Sequence, residues 1–451
     1  MDLALAQILY IVGLSWVGVA AKLGSAHIVF WILAILLFYL PSAAVVIYLS
    51  RLIPLEGGLY QWARRGFGEF AGFLVAWNLW FYAIVLNAEI GIMAITLLSY
   101  ALGPKSAWLM ESRLAMTLAN VMIVSGITWV AIRGLTVGKW VQNAGAVVML
   151  ITFVAVIALP FRNVAIGRMA SYHPLAMSMP VLNLQNLNIL GKMGFGALGG
   201  FEYMAILAGE TRAPARSVTR SVFIAAPVIA LMFVLGTSAV VAYVPNDDID
   251  LIGPVAQVLR VGYGPFGVAA PLVTLAILMT LAMRIGQASV AFTAVTRLPM
   301  VAGWDHMLPS WFSTLHATYK TPVNSIVLVG ASSFAIASLS LIGVGHAEAF
   351  QLLFNTSGIF YALTYVVMFA IPLFGLRGVT PRPPLWLQLA SWSGLLMTLL
   401  YIVLSVFPII KVESVSTFAF KIVLLIGVMN LVGIGILASA RWRSAALAPS
   451  R

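Results

Sequence analysis

The chain has 451 residues, 62% of them hydrophobic and only 8% charged, with a mean hydropathy of +1.03. A soluble domain carries about 25% charged residues. The composition therefore excludes a soluble enzyme, a disordered chain and a coiled coil, and leaves an integral membrane protein with several spans. The net charge is +12. The lysines and arginines are scattered through short loops rather than gathered in runs, which fits topology-setting charge and not nucleic-acid binding. With no cysteine there is no disulfide or thiolate chemistry, and the five histidines show no metal-ligand spacing.

A bilayer-spanning helix needs about 20 mostly apolar residues. Taken in chain order, the apolar stretches predict twelve spans, near 3–21, 28–53, 69–101, 113–132, 137–160, 187–209, 218–243, 266–296, 323–343, 348–374, 385–409 and 416–440. Helices are expected because lipid offers the backbone no hydrogen-bond partner, and a barrel would show short alternating strands. An even number of spans puts both termini on one side. That side collects fifteen Lys and Arg residues. The other side takes nine, Lys22, Lys192 and Lys411 among them, and Arg284 is left inside a span. The richer side is expected to be cytoplasmic, which puts Asp247, Asp248 and Asp250 outside. The basic C-terminal pair Arg441 and Arg443 is expected to meet lipid head groups.

Glycines interrupt two of these spans. The first reads IVGLSWVG, with Gly13 and Gly18 around Ser15. The sixth reads GFGALGGFE, with Gly194, Gly196, Gly199 and Gly200 within seven residues. Each glycine costs a helix interior about 1 kcal/mol relative to alanine, so the sixth span is expected to be broken. For the first span, close helix packing through small residues explains the pattern equally well. Two breaks five spans apart are what two inverted five-helix repeats produce, with a binding site at their interface. Gly194 to Gly199 also fits G-x-G-x-x-G, but here it interrupts a span with no βαβ unit around it, so a dinucleotide site is not expected.

Three longer motifs carry a family resemblance. The segment PLEGGLYQWARRGFGEFAGF after the second span, GGFEYMAILAGETRAPARSVTRS at the sixth, and TRLPMVAGWDHMLPSWFSTLHATYKTP after the eighth occur in that order. Together they resemble the amino acid–polyamine–organocation permeases over nearly the whole chain. The resemblance implies an all-α, twelve-helix membrane fold with a five-plus-five inverted (LeuT-like) repeat and broken helices 1 and 6. Residues 1–374 would form the transport core, from spans 1–5 (about 3–160) and 6–10 (about 187–374), and 385–440 would add two helices. It implies secondary transport of an amino acid or related amine at the plasma (inner) membrane. Polyamine or organic-cation carriage is the alternative, and a channel or sensor on the same fold is less favoured. By motif, substrate would be held by Gly13, Leu14, Ser15, Trp16, Val17 and Gly18, and by Phe195, Gly196, Ala197, Leu198, Gly199 and Gly200. No cofactor is implied beyond a coupling ion, H+ or Na+, and the expected partners are the small-molecule substrate and membrane lipid.

Departures from the family pattern shape the expectations. Only twelve residues precede Gly13, so the first half-helix is short. Gly196 stands where many relatives place a bulky aromatic lid, which implies a wider pocket or a lid supplied from elsewhere. No lysine occupies Val147 to Met149, the fifth-span position that some proton-coupled relatives use. Glu89, Glu202 and Arg284 lie within spans and are the coupling or gating candidates, since a charge at mid-depth costs about 2.5–3.5 kcal/mol. Rise per residue puts Glu202 and Arg284 within about 10 Å in depth, and the two are expected to interact. Glu89 is expected toward the outer half of its span, reaching a vestibule or attracting a cation. Glu56 and Arg64-Arg65 are read as an amphipathic loop, and Arg212, Arg216 and Arg220 as topology anchors that also pair with Glu210.

Overall fold

The computed structural model describes residues 2–53, 55, 57–202, 214–264, 269–296, 308–376 and 382–446. No strand occurs among them. Among the described residues ten helices are long and apolar enough to cross a bilayer, and one bent pair adds an eleventh if it counts as one span. The expected sixth span is described only to residue 202, and Glu56, Glu210, Arg212 and residues 297–307 fall outside the described residues.

The first span is the bent pair. Helix α1 (Asp2–Ile11) stops at Val12-Gly13, and α2 (Leu14–Ala21) leaves at 47°. Gly13 is extended (φ −98°, ψ 130°) and gives α2 no side-chain cap. α3 (Gly24–Leu52) follows. It leads to the short α4 (Leu59–Phe67), which buries Leu59, Tyr60, Trp62 and Ala63 and ends on Arg64 and Arg65, the amphipathic turn that its sequence predicts. The Trp62 indole N–H donates to the Ile53 carbonyl at 3.0 Å, fixing this helix to the end of α3.

The long third span divides at Glu89 into α5 (Glu69–Ala88) and α6 (Ile90–Leu102). The division is held from the side. Asn120, on α7 (Arg113–Arg133), donates its amide to the Asn87 and Ala88 carbonyls at 3.0 and 3.1 Å. Gly91 admits this approach, because a Cβ there would fall 2.7 Å from Asn120 Cβ. α8 (Leu135–Ala165) completes the first half.

In the second half, α9 (Leu184–Gly191) is capped by Asn183, whose Oδ1 accepts the Asn186 N–H at 2.8 Å. It widens into a π-helical turn, Lys192–Ala197, before the chain unwinds. α10 (Pro214–Tyr243), a short α11 (Pro254–Tyr263), α12 (Ala269–Val295), α13 (Val323–Ser340) and α14 (His346–Ala370) follow. The last two helices are α15 (Leu385–Ser405) and α16 (Val415–Ala446). α8 packs on α12 through Gly145, whose Cβ would stand 3.3 Å from Gly286 Cα. α16 lies outermost, joined to α5 by a pair of asparagine amides, Asn78 donating to Asn430 at 2.8 Å. Large apolar side chains such as Leu114, Met122, Leu424 and Leu431 face outward, as a lipid-facing surface requires.

Candidate functional site

Both glycine-marked interruptions lie against one central cavity of about 60 Å³. Tyr10, Gly13 and Trp16 come from the first span, and Phe195, Gly196 and Gly199 from the sixth. Tyr82 and Glu89 come from the third, Arg284 and Gln287 from α12, and Phe354, Ser357 and Tyr361 from α14. Of the residues marked in the sequence, Gly13, Trp16, Phe195, Gly196, Gly199, Glu89 and Arg284 border it together. Leu14, Ser15, Val17, Gly18, Ala197, Leu198, Gly200 and Glu202 do not line it. Gly18 faces α11 instead, where a Cβ would meet Pro254 at 2.9 Å.

Glu89 and Arg284 form a buried ion pair at 3.1 Å. Glu89 therefore faces the central cavity, and the expected outer vestibule position is corrected. Glu89 keeps helical backbone (φ −76°, ψ −14°) at the junction of α5 and α6, and its carboxylate meets α12. The expected pairing of Glu202 with Arg284 is also corrected: the Arg284 guanidinium is engaged by Glu89, by the Gln287 side chain and by Met93. Gln287 in turn donates its amide to the Tyr10 and Val12 carbonyls at 2.8 and 3.3 Å. A polar relay thus runs from the third span through α12 to the unwound carbonyls of the first. The second carboxylate oxygen of Glu89, Oε2, is buried without a hydrogen-bond partner among the described residues.

Glu202 is fully buried and accepts hydrogen bonds from the Tyr361 and Tyr365 hydroxyls of α14. The Gly200 N–H donates to the Tyr365 hydroxyl at 2.7 Å. Gly200 has φ +136°, a conformation that a side chain resists, and a Cβ there would meet Ile11 and Tyr10 within 2.8 Å. The unwound stretch of the sixth span is therefore pinned to α14 by two tyrosines.

Gly196 does not widen the pocket. The Trp16 indole occupies the space, and a Cβ on Gly196 would fall 2.7 Å from its Cζ3 atom. Trp16 also packs on Phe354 with ring centroids 4.3 Å apart. The lid comes from the first span, the second of the two arrangements that the missing aromatic allowed.

One assignment fails outright. Lys192 counts among the charges of one membrane face in the sequence reading, yet it is fully buried. It lies inside the predicted sixth span, so its position alone was the available signal. Sequence reasoning also missed Tyr10, Tyr82, Gln287, Phe354 and Tyr361. Tyr82 stacks on Tyr361 at 4.5 Å and shares a 2.9 Å hydrogen bond with Tyr10. Aromatic and amide residues on apolar helices carry no local mark of a site.

The fold and this site define a class: a multi-pass integral membrane protein with a broken first span and a small cavity that holds a buried ion pair. Residues 3–435 match the family model described as amino acid permease, and the chain belongs to that family. It is 25% identical to an uncharacterized transporter of Legionella pneumophila over 96% of this chain and 94% of that one. It is 21% identical to a probable agmatine/putrescine antiporter of Lactococcus lactis, covering 83% of this chain and 78% of the relative. A low-affinity putrescine importer of Escherichia coli is 23% identical, over 80% and 76%.

Proposed function

We propose that the chain is a secondary transporter that moves an amino acid or related amine by alternating access. It crosses the membrane twelve times, with residues 1–374 as a five-plus-five inverted-repeat core and 385–440 as two added helices. Both termini are cytoplasmic, in the plasma membrane. The observation that carries this reading is the shared cavity between two interrupted helices, with Glu89 and Arg284 on its wall. The N-terminus of α2 carries roughly +0.5 charge and unsatisfied N–H groups, suited to a carboxylate. Glu89 Oε2 is an open acceptor for an amino group. At about 60 Å³ the cavity holds little more than a few waters, so substrate entry requires the Trp16 indole to move. Carriage of a polyamine is the second reading, favoured by the agmatine and putrescine named for two relatives.

The test is uptake by the purified chain in proteoliposomes, across amino acids and amines, with and without proton and sodium gradients. Gradient-driven accumulation of at least one compound is expected. Gly200→Val should abolish it while the protein stays monodisperse; wild-type rates in that variant would remove the two-helix site. Coupling is assigned to H+ with Glu89 as the acceptor, because Glu202 is already committed to two tyrosines. Glu89→Gln should flatten the pH profile of uptake but keep gradient-free exchange, and Glu202→Gln should keep the profile. Wild-type profiles in both would make a sodium-coupled or uncoupled exchanger the better account.

A further inference from the structure

Beside the central cavity lies a second one of about 130 Å³, and Phe354 borders both. Ile249 and Ile409 in turn border both this cavity and a wide hollow of about 840 Å³ that holds Lys22, Asp247 and Lys411. The three spaces lie in series, with Trp16 and Phe354 at the inner constriction.

Lys192 lines the middle cavity and is 0% exposed. Its ammonium donates to Asn355 Oδ1 at 2.8 Å and Ser405 Oγ at 3.1 Å, and the Tyr401 ring centre lies 5.6 Å away. These partners are all neutral. Among the described residues no carboxylate lies within 4.0 Å of it. An ammonium has three protons to donate, and two are used. Two residues that line the cavity carry buried polar atoms without partners among the described residues: Asn355 Nδ2, a donor, and Gln351 Oε1, an acceptor. Asp250 also lines the cavity, but its carboxylate oxygens already accept from the Tyr100 hydroxyl and the Ile252 N–H. Buried polar atoms are ordinarily satisfied, so a spare cationic donor, an orphaned amide donor and an orphaned acceptor in one cavity call for a ligand.

We propose that this cavity is a way-station for the substrate, in which Lys192 and Asn355 Nδ2 bind its carboxylate and Gln351 Oε1 accepts from its amino group. The consequence is selectivity: an α-amino acid gains the contact between Lys192 and its carboxylate, which its decarboxylated amine lacks. This rests on the transport reading above and names its substrate class.

The experiment measures proteoliposome uptake of matched pairs that differ by one carboxylate: arginine and agmatine, ornithine and putrescine, valine and isobutylamine. Wild type should favour the amino acid of each pair. Lys192→Met should lower that preference ten-fold or more, mainly through a raised KM for the amino acid. Asn355→Leu should shift it the same way by less, and Ser405→Ala should leave it unchanged. A merely structural lysine would depress both members of a pair alike, and that result overturns the proposal. If Lys192→Met is not monodisperse, Asn355→Leu decides, and an unchanged preference there overturns it. Wild type that prefers the amines also overturns it, with transport intact. Wild type that moves none of these compounds refutes the transport reading itself.

Discussion

The Glu89–Arg284 pair illustrates what a buried charge demands of its neighbours. Glu89 is 0% exposed, and nothing but the guanidinium is seen to compensate its charge. Removing one member of a buried pair typically costs about 3–5 kcal/mol, because the survivor is left uncompensated, while replacing both by apolar groups costs far less. Arg284→Met should therefore lower the thermal midpoint more than the double change Arg284→Met with Glu89→Leu. Thermal denaturation followed by size exclusion checks this, and a double variant no more stable than the single one would refute the argument. Trp16 makes a second case. Gly196 is open only because the indole fills its place, so Trp16→Ala should enlarge the cavity and admit bulkier substrates in competition assays. Unchanged selectivity would mean that Phe354 alone closes the constriction.

At the level of elements, an interruption is stable only when its freed backbone groups find partners. The break between α1 and α2 finds one in Gln287, and the end of α5 finds one in Asn120. Gln287→Leu would leave the Tyr10 and Val12 carbonyls without that donor, a loss of about 1–3 kcal/mol each if no water enters. The measurable outcome is a lower thermal midpoint together with slower uptake; a variant with wild-type values of both would show that the relay is dispensable. The unwinding of the sixth span was legible, because four glycines from Gly194 to Gly200 leave a local signature, while at Gly13 close packing fitted the pattern equally well. What secures the breaks was not legible. Glu202 meets Tyr361 and Tyr365 from 159 and 163 residues away, and no periodicity encodes which distant helix supplies a hydroxyl. Depth arithmetic ranked Glu202 and Arg284 as neighbours because it carries height and not azimuth around the bundle. Lys192 was misread for a related reason: a lone cation near a span's end resembles a topology charge until burial is known.

Across the whole molecule, the proposed orientation makes a prediction about one hollow. Lys22, Asp247 and Lys411 gather around one wide hollow, and these belong to the end with fewer basic residues in the sequence reading. The native chain has no cysteine, so single-cysteine variants report sidedness without background. A thiol at Lys411 should react with an impermeant maleimide added outside intact cells, and one at Arg65 only after the membrane is opened. Reaction of both from the same side would contradict the proposed orientation.

The separation of Glu89 from Arg284 also bears on how the protein is made. They stand 195 residues apart, with α6 to α11 between them. Spans enter the bilayer in order of synthesis, so α5–α6 arrives carrying an acid whose counter-charge has not yet been translated. Its apolar length, 34 residues from Glu69 to Leu102, offsets an insertion cost of about 2.5–3.5 kcal/mol. Until α12 arrives, that carboxylate faces water or lipid instead of a guanidinium. A chain halted before residue 269 would therefore lack the guanidinium that pairs with Glu89 in the complete bundle.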